Sequence, residues 1–375
     1  RYPKYGNLVP RDIATREIFD ICTTDGLSVE KDRLCVYLDL THIPKETLDR
    51  KLGGILDIYE KFQGVDPRVT PMKIFPAVHY SMGGLWVDYE KSASGGMVEG
   101  AIRNQQTSIP GVYAIGECDY QYHGANRLGA NSLLSCIFSG LFVAPTLVNV
   151  CGASKAGADQ SRLFDAAIRR HEEQHRELLA RTAGDENPYA LHQELGNLMT
   201  RVATVVRRND QLAAAYDEVC RMAERWRRCA VSDTGNWTNQ NVVFTKALGD
   251  MFPIAKLILK GALLRDECRG AHFKPAFSMP GLKATDPEGK RREAEQWCDA
   301  FAANTRKWLK STIATCGSNG DPEITYQDID TSLIPPRPRL YGLVGADAIE
   351  EVWKARAAQA AGQAAAKGQP AGVGT

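Results

Sequence analysis

Apolar positions in the first 150 residues fall in short bursts whose spacing changes from segment to segment. In residues 11–22 (RDIATREIFDIC) they recur at helical intervals, with Asp12 placed to cap the start and Gly26 beyond the end. Residues 34–40 (LCVYLDL) have the apolar, aromatic and β-branched content of a strand. An amphipathic helix is predicted over 44–62, stopped by Gly64. Residues 71–89 (PMKIFPAVHYSMGGLWVDY) read as strand, Gly-Gly turn and strand, and 112–115 as a short strand ending at Gly116. Residues 133–150 are apolar for about the length of a membrane span. Ser135, Ser139, Gly140, Pro145, Thr146 and Asn149 interrupt the run, so the pattern predicts a buried helix.

The pattern changes after Cys151. Residues 160–228 are charged and helical throughout, with breaks near Gly184 and at Asn187-Pro188, which predicts a helical bundle. A further apolar helix runs over 239–264, its end placed near Arg269-Gly270. Residues 272–341 are rich in Pro and Gly, with Trp297 and Trp308 on helical stretches and a strand at 323–326. Beyond Gly345 a short helix leads into an Ala/Gly/Gln-rich tail expected to be disordered. The fold class is therefore α/β plus all-α. The chain opens on Arg1 in what reads as mid-domain, so an N-terminal segment is expected to precede it.

Composition narrows the function classes. The 375 residues are 43% hydrophobic and carry a formal net charge of +1, which gives no reason to expect nucleic acid or an acidic lipid surface as the main partner. Ten cysteines without a CxxC pair fit reduced thiols better than a disulfide framework, a zinc ribbon or a cluster-binding pattern. The sequence HEEQH at 171–175 has the form of a zinc-protease helix, but it stands in RRHEEQHRELLAR, charged on nearly every side. It reads as a solvated face, and no metal site is assigned.

Three residues stand out chemically. His79, beside Gly83-Gly84, is placed either to contact a ligand or to be satisfied within the core. Arg11 is either a surface charge paired with Asp12 or a functional cation. In HGANRLGANSLL (123–134), Arg127 is set among small residues that let backbone pack closely. A guanidinium held there suits bidentate carboxylate binding, or else pairs with a buried acid. Asn131-Ser132 is placed to cap the following helix, whose N-terminus favours negative charge.

The segments PRDIATREI (10–18), YLDLTH (37–42), PAVHYSMGG (76–84), GVYAIGECDYQYHGANRLGANSLLSC (111–136) and ECRGAHF (267–273) together resemble the succinate dehydrogenase/fumarate reductase flavoprotein family. The likeness spans about three quarters of the chain and leans toward the branch found with diheme membrane anchors. It implies FAD as cofactor and succinate or fumarate as substrate. It also implies an iron–sulfur subunit as partner, with a quinone-binding membrane anchor behind it, at the cytoplasmic side of the cell membrane. By resemblance, Arg11 exchanges a proton with the substrate, while His79 and Arg127 bind its carboxylates. Glu117 meets the FAD ribose, and Ser132 and Leu133 meet the flavin through their backbone. The same likeness gives residues 1–70 as the remainder of a capping domain and 71–150 as the C-terminal part of the FAD-binding domain. Residues 151–265 are then a helical domain, 266–345 a small C-terminal domain and 346–375 a disordered tail.

The resemblance is incomplete. The GxGxxG phosphate-binding turn and the histidine that tethers FAD in the family have no counterpart here. The chain by itself is therefore expected to bind FAD weakly and not to turn over. Fumarate reductase and L-aspartate oxidase share the HGANRL motif; the Pro-rich PPRPRLYG (335–342) favours the dehydrogenase subunit. An inactive docking scaffold is the non-enzyme alternative.

Overall fold

A computed structural model describes residues 9–153, 161–331 and 334–366, with side chains described as far as residue 360 except that of Ala153. It divides into two compact units, Arg1–His79 and Tyr80–Thr375.

In the first unit, helix α1 (Arg11–Thr23) begins after Pro10, whose φ of −54° is already set for the helix. Asp12 is not the cap; it lies in the first turn and pairs with Arg16 at 3.7 Å. Strand β1 (Val36–Leu38) pairs antiparallel with β2 (Met72–Ile74), Val36 opposite Ile74. Helix α2 (Lys45–Gln63) lies between them in sequence and ends at Gly64, whose φ of +69° is the left-handed stop that the sequence predicts. Ile13, Phe19, Cys22, Cys35, Leu48 and Leu56 are buried in this unit.

The second unit starts with loops, not strands. Past β2, the expected strand at 85–89 is reduced to a single bridge, Leu85 to Asp119. The one expected at 112–115 is likewise a single bridge, Gln106 to Tyr113. A strand persists where a neighbour offers a ladder of hydrogen bonds, and each of these segments finds one bridging residue. The α/β part of the expected fold class is thus reduced to short pairings. Among the described residues the sheets are two-stranded and antiparallel.

Helix α3 (Asn131–Ala153) is longer than predicted, and its burial is the reverse of the expectation. Ser135, Ser139, Val143 and Thr146 face inward, while Leu133, Leu134, Ile137, Leu141 and Val148 are exposed. By length and composition it is the one described helix apolar enough to cross a membrane. The predicted bundle follows: α4 (Ser161–Leu179), α5 (Pro188–Met199), a π-helical turn (Thr200–Thr204), α6 (Asn209–Trp226) and α7 (Gln240–Leu264). Asn187 and Asn239 cap α5 and α7 through their side chains. Leu191, Leu195, Leu212, Val219, Leu248, Phe252 and Leu259 form the core between them.

Helix α8 (Pro287–Trp308) carries both tryptophans as expected. Strand β4 (Pro322–Asp328) contains the predicted strand and pairs with β3 (Lys310–Cys316), which the pattern does not reveal. Helix α9 (Ala346–Ala366) packs Ile349 and Trp353 against Trp297 and Phe301 of α8. The short helix expected beyond Gly345 is present, and it runs on to Ala366, into the Ala-rich stretch expected to be disordered. Alanine is the strongest helix former, and low complexity does not by itself prevent a helix. The rest of that tail, 367–375, lies outside the described residues, as do residues 1–8.

Candidate functional site

The inward face of α3 is a polar stripe, and the site is built on it. Gly116, with φ +71°, brings a 3-10 turn (Gly116–Cys118) against the helix, where an added Cβ would lie 2.9 Å from the Cys136 sulfur. The Gly116 N–H donates to Ser139 Oγ at 3.2 Å, and Ser139 donates to the Ser135 carbonyl at 2.7 Å. Tyr122 Oη lies 2.7 Å from the same hydroxyl, and burial pushes that phenol up to about 12. Asp119, buried beside Gln105, is pushed upward by burial despite the hydrogen bonds it accepts from Gln121 and Gln105.

Arg127 is at the open end of this stripe. It is half-buried, its Nη1 donates to the Leu128 carbonyl at 3.0 Å, and its guanidinium lies 5.4 Å from the centre of the Tyr80 ring. Tyr80 Oη is 3.0 Å from His123 Nε2 and 3.2 Å from Ser135 Oγ. His123 is pushed down first by burial and then by the Arg127 charge, so the ring facing Tyr80 is neutral at pH 7. This clamp orients the guanidinium from one face, a stiff setting for a planar fork.

Three residues expected to meet a cofactor lie in the same unit. Glu117 is exposed, and its Oε1 accepts the Ser81 N–H at 2.8 Å. Ser132 is half-buried and Leu133 exposed in the first turn of α3, where amide N–H groups have no intrahelical acceptor. An exposed carboxylate for a ribose hydroxyl and a helix N-terminus for a ring that gains negative charge fit FAD. Gly84 makes its close approach to protein, not ligand: a Cβ there would lie 2.2 Å from the Cys118 carbonyl oxygen, which accepts the Leu85 N–H at 2.7 Å. The α3 start also differs from the expected cap, because Asn131 is already helical and follows Ala130 at φ +65°.

In the second unit Arg127, Ser132 and Leu133 lie at or just before the N-terminal end of α3, while Glu117 stands on the turn packed against Cys136 and Ser139, further along the helix. Arg11 and His79 belong to the first unit; Arg11 is the exposed first residue of α1 and His79 is exposed at the unit's end. Tyr80, His123, Ser135 and Ser139 are the residues that sequence reasoning passes over. Tyr80 is the next residue after His79, and His123 lies four before Arg127, so both stand inside motifs already singled out. His171 and His175 are exposed on α4.

A second polar centre holds ECRGAHF. Glu267 is fully buried between Arg265 and Arg269, at 2.6 and 2.9 Å. His272 accepts from Arg207 at Nδ1 (2.6 Å) and donates from Nε2 to the Arg265 carbonyl (2.8 Å). Burial, reinforced by Arg207, pushes the imidazole from 6.5 down to about 4, and burial alone pushes Arg207 down to about 10. The unfolded chain takes up this proton near pH 6.5 and the folded chain only near pH 4, so the stabilisation is complete above 6.5 and is lost as pH falls toward 4. The expected loss is about 3 kcal/mol across that window. Urea midpoints measured at pH 7 and pH 4.5 check it, with the pH dependence smaller in His272→Asn.

Residues 192–341 match the family described as fumarate reductase flavoprotein C-term, and residues 1–133 the FAD binding domain. The chain is 46% identical over 344 residues to the succinate dehydrogenase flavoprotein subunit of Bacillus subtilis, an alignment covering 91% of this chain and 52% of that protein. It is 28% identical to the fumarate reductase flavoprotein subunit of Haemophilus influenzae, covering 94% of this chain and 52% of the relative. A solved FrdA variant of E. coli quinol fumarate reductase superposes with a TM-score of 0.72 at 27% identity, covering 90% of this chain and 52% of that one. The chain belongs to the succinate dehydrogenase/fumarate reductase flavoprotein family, whose cofactor is FAD. It spans about half the length of the curated relatives it matches.

Proposed function

We propose that the protein of which these residues form part is the flavoprotein subunit of a succinate:quinone oxidoreductase. The observation that carries this reading is the Arg127 guanidinium clamped on Tyr80, four residues before the start of α3 and in the same unit as the exposed Glu117 carboxylate. Similarity to the succinate dehydrogenase subunit of Bacillus subtilis supports the dehydrogenase over its fumarate-reducing relatives.

Bound FAD would supply the acceptor for a hydride from one methylene carbon of succinate. Glu117 would hold the ribose, and Ser132 and Leu133 would present backbone N–H groups to the flavin. Arg127 would grip a substrate carboxylate through two parallel hydrogen bonds, which fixes the diacid in register. His79 would donate a hydrogen bond to the same diacid. Arg11 would exchange the proton of the neighbouring carbon, giving fumarate. A guanidinium already carries its full complement of protons at neutral pH, so succinate oxidation needs a relay that takes a proton from Arg11 and carries it away.

Two-electron reduction must be followed by one-electron carriers, and the cysteines here have no cluster-binding spacing. An iron–sulfur subunit is therefore the direct partner, and a membrane anchor with quinone the indirect one. The subunit is peripheral, on the cytoplasmic side of the cell membrane. Residues 1–70 and 71–150 belong on this reading to the capping and FAD-binding domains, and 151–265 and 266–345 to the helical and C-terminal domains.

The test uses the complete gene product loaded with FAD and an artificial electron acceptor. Succinate is expected to drive dye reduction and L-aspartate to leave it at background. Turnover of L-aspartate would replace this reading with that of an L-aspartate oxidase.

A further inference from the structure

The ECRGAHF segment is one of the motifs that carry the resemblance, yet the chemistry above gives it no task. Its place in the structure suggests one. Gly270, at φ +57°, lies so close to the arginine-bearing loop that a Cβ would fall 2.3 Å from the Ala125 carbonyl oxygen and 2.9 Å from the Ala125 Cβ. The next residue, Ala271, donates its N–H to that same carbonyl at 2.8 Å. Ala125 is two positions before Arg127, in a tight turn where the Asn126 N–H bonds back to the His123 carbonyl at 3.2 Å.

The far side of the segment is anchored in the helical region. Arg269 and His272 exchange backbone hydrogen bonds, each 2.9 Å, which makes a tight hairpin of 269–272. His272 is tied to Arg207, whose Nε donates to the Ala203 carbonyl of the π-helical turn at 2.7 Å and whose N–H donates to the Phe273 carbonyl at 2.9 Å. Ala203 belongs to the buried bundle core. A continuous run of hydrogen bonds therefore leads from that core through Arg207 and His272 to Ala125.

We propose that the 267–273 segment is the positioning element for Arg127, setting the height of the guanidinium by pinning Ala125 to the helical region. The proposal rests on Arg127 as the substrate-gripping arginine. Gly270 is needed because a side chain there would push the turn outward, and His272 because it fixes the hairpin from behind. Neither residue touches substrate; both act through the backbone that carries Arg127.

Two measurements test it. Native-state hydrogen exchange on the complete flavoprotein needs no activity. In the unmodified chain, peptides covering 123–129 and 267–273 are expected to open together. In Gly270→Ala the 123–129 peptides should exchange about tenfold faster, with α6 and α7 still protected. His272→Asn, which adds no bulk, serves the same purpose if Gly270→Ala does not fold. Independent opening of the two segments in the unmodified chain, or unchanged exchange at 123–129 in a folded variant, overturns the proposal.

In the FAD-loaded complete flavoprotein, Gly270→Ala should raise KM for succinate about tenfold with kcat changed less than about threefold and the flavin absorption unchanged. Gly261→Ala, where a Cβ meets only Thr312 Cγ2 at 3.8 Å, is the control and should keep the original KM. A variant that loses active protein at unchanged KM is merely less stable, and that result also overturns the proposal. Absence of succinate turnover in the unmodified flavoprotein sinks the functional reading instead, and hydrogen exchange then decides the coupling by itself.

Discussion

Arg127→Ala in the complete flavoprotein is expected to lower kcat/KM for succinate by about 10³-fold, equivalent to roughly 4 kcal/mol of transition-state binding. Two effects add. The diacid loses a charge-assisted, bidentate partner, and its reacting carbons lose the alignment that this partner imposes. The clamp explains why the second effect is large: the guanidinium rests 5.4 Å from the Tyr80 ring centre, and Tyr80 is itself held by His123 and Ser135. Arg127→Lys keeps the charge but not the planar fork or the stacking, so it should recover only a small part of the loss. Steady-state assays over a range of succinate concentrations, with flavin content measured in each variant, check the prediction. A loss below tenfold in Arg127→Ala would remove this residue from substrate binding.

How much of this was legible in the sequence differs from element to element. Helix α2 and its Gly64 stop follow from periodicity and one left-handed glycine, both local properties. The bundle breaks at Gly184 and Asn187-Pro188 are legible for the same reason. The 85–89 and 112–115 segments have strand composition, but composition cannot supply the neighbouring ladder that makes a strand. Helix α3 shows the other limit. Its apolar run is read correctly, yet the pattern cannot say which face is covered, and the buried face is the one carrying Ser135, Ser139 and Thr146. For the candidate site, Arg127 is conspicuous because of the small residues around it. Tyr80 and His123 come to it from positions 47 and 4 residues earlier in the chain, a pairing that no local spacing encodes. The tie between Gly270 and Ala125 is more distant still in sequence.

The other large effect expected is on stability, at Glu267. Its carboxylate is fully buried, with Oε1 at 2.6 Å from Arg265 Nη2 and Oε2 at 2.9 Å from Arg269 Nη2. Arg265 is in turn spread over the start of β3, donating to the Lys310 carbonyl at 3.0 Å, to Thr312 Oγ1 at 2.9 Å and to the Trp308 carbonyl. Glu267→Ala would leave two largely buried guanidinium groups without their counter-charge while also opening a void. Removing one partner of a buried pair costs about 3–5 kcal/mol, because the charge that remains has neither water nor a partner. The exposed pair Arg221–Glu218 gives the contrast, since its ions stay hydrated when the partner is removed and the change should be barely measurable. Glu267→Gln keeps the volume and one acceptor oxygen, and its cost should fall between the two. Chemical denaturation followed by tryptophan fluorescence reads the difference, because Trp297 and Trp308 sit on α8, which ends at the strand that Arg265 holds. If Glu267→Ala cost less than about 1 kcal/mol, water would have to reach the two arginines in the variant, and the site would not be the closed centre that the Glu267 burial describes.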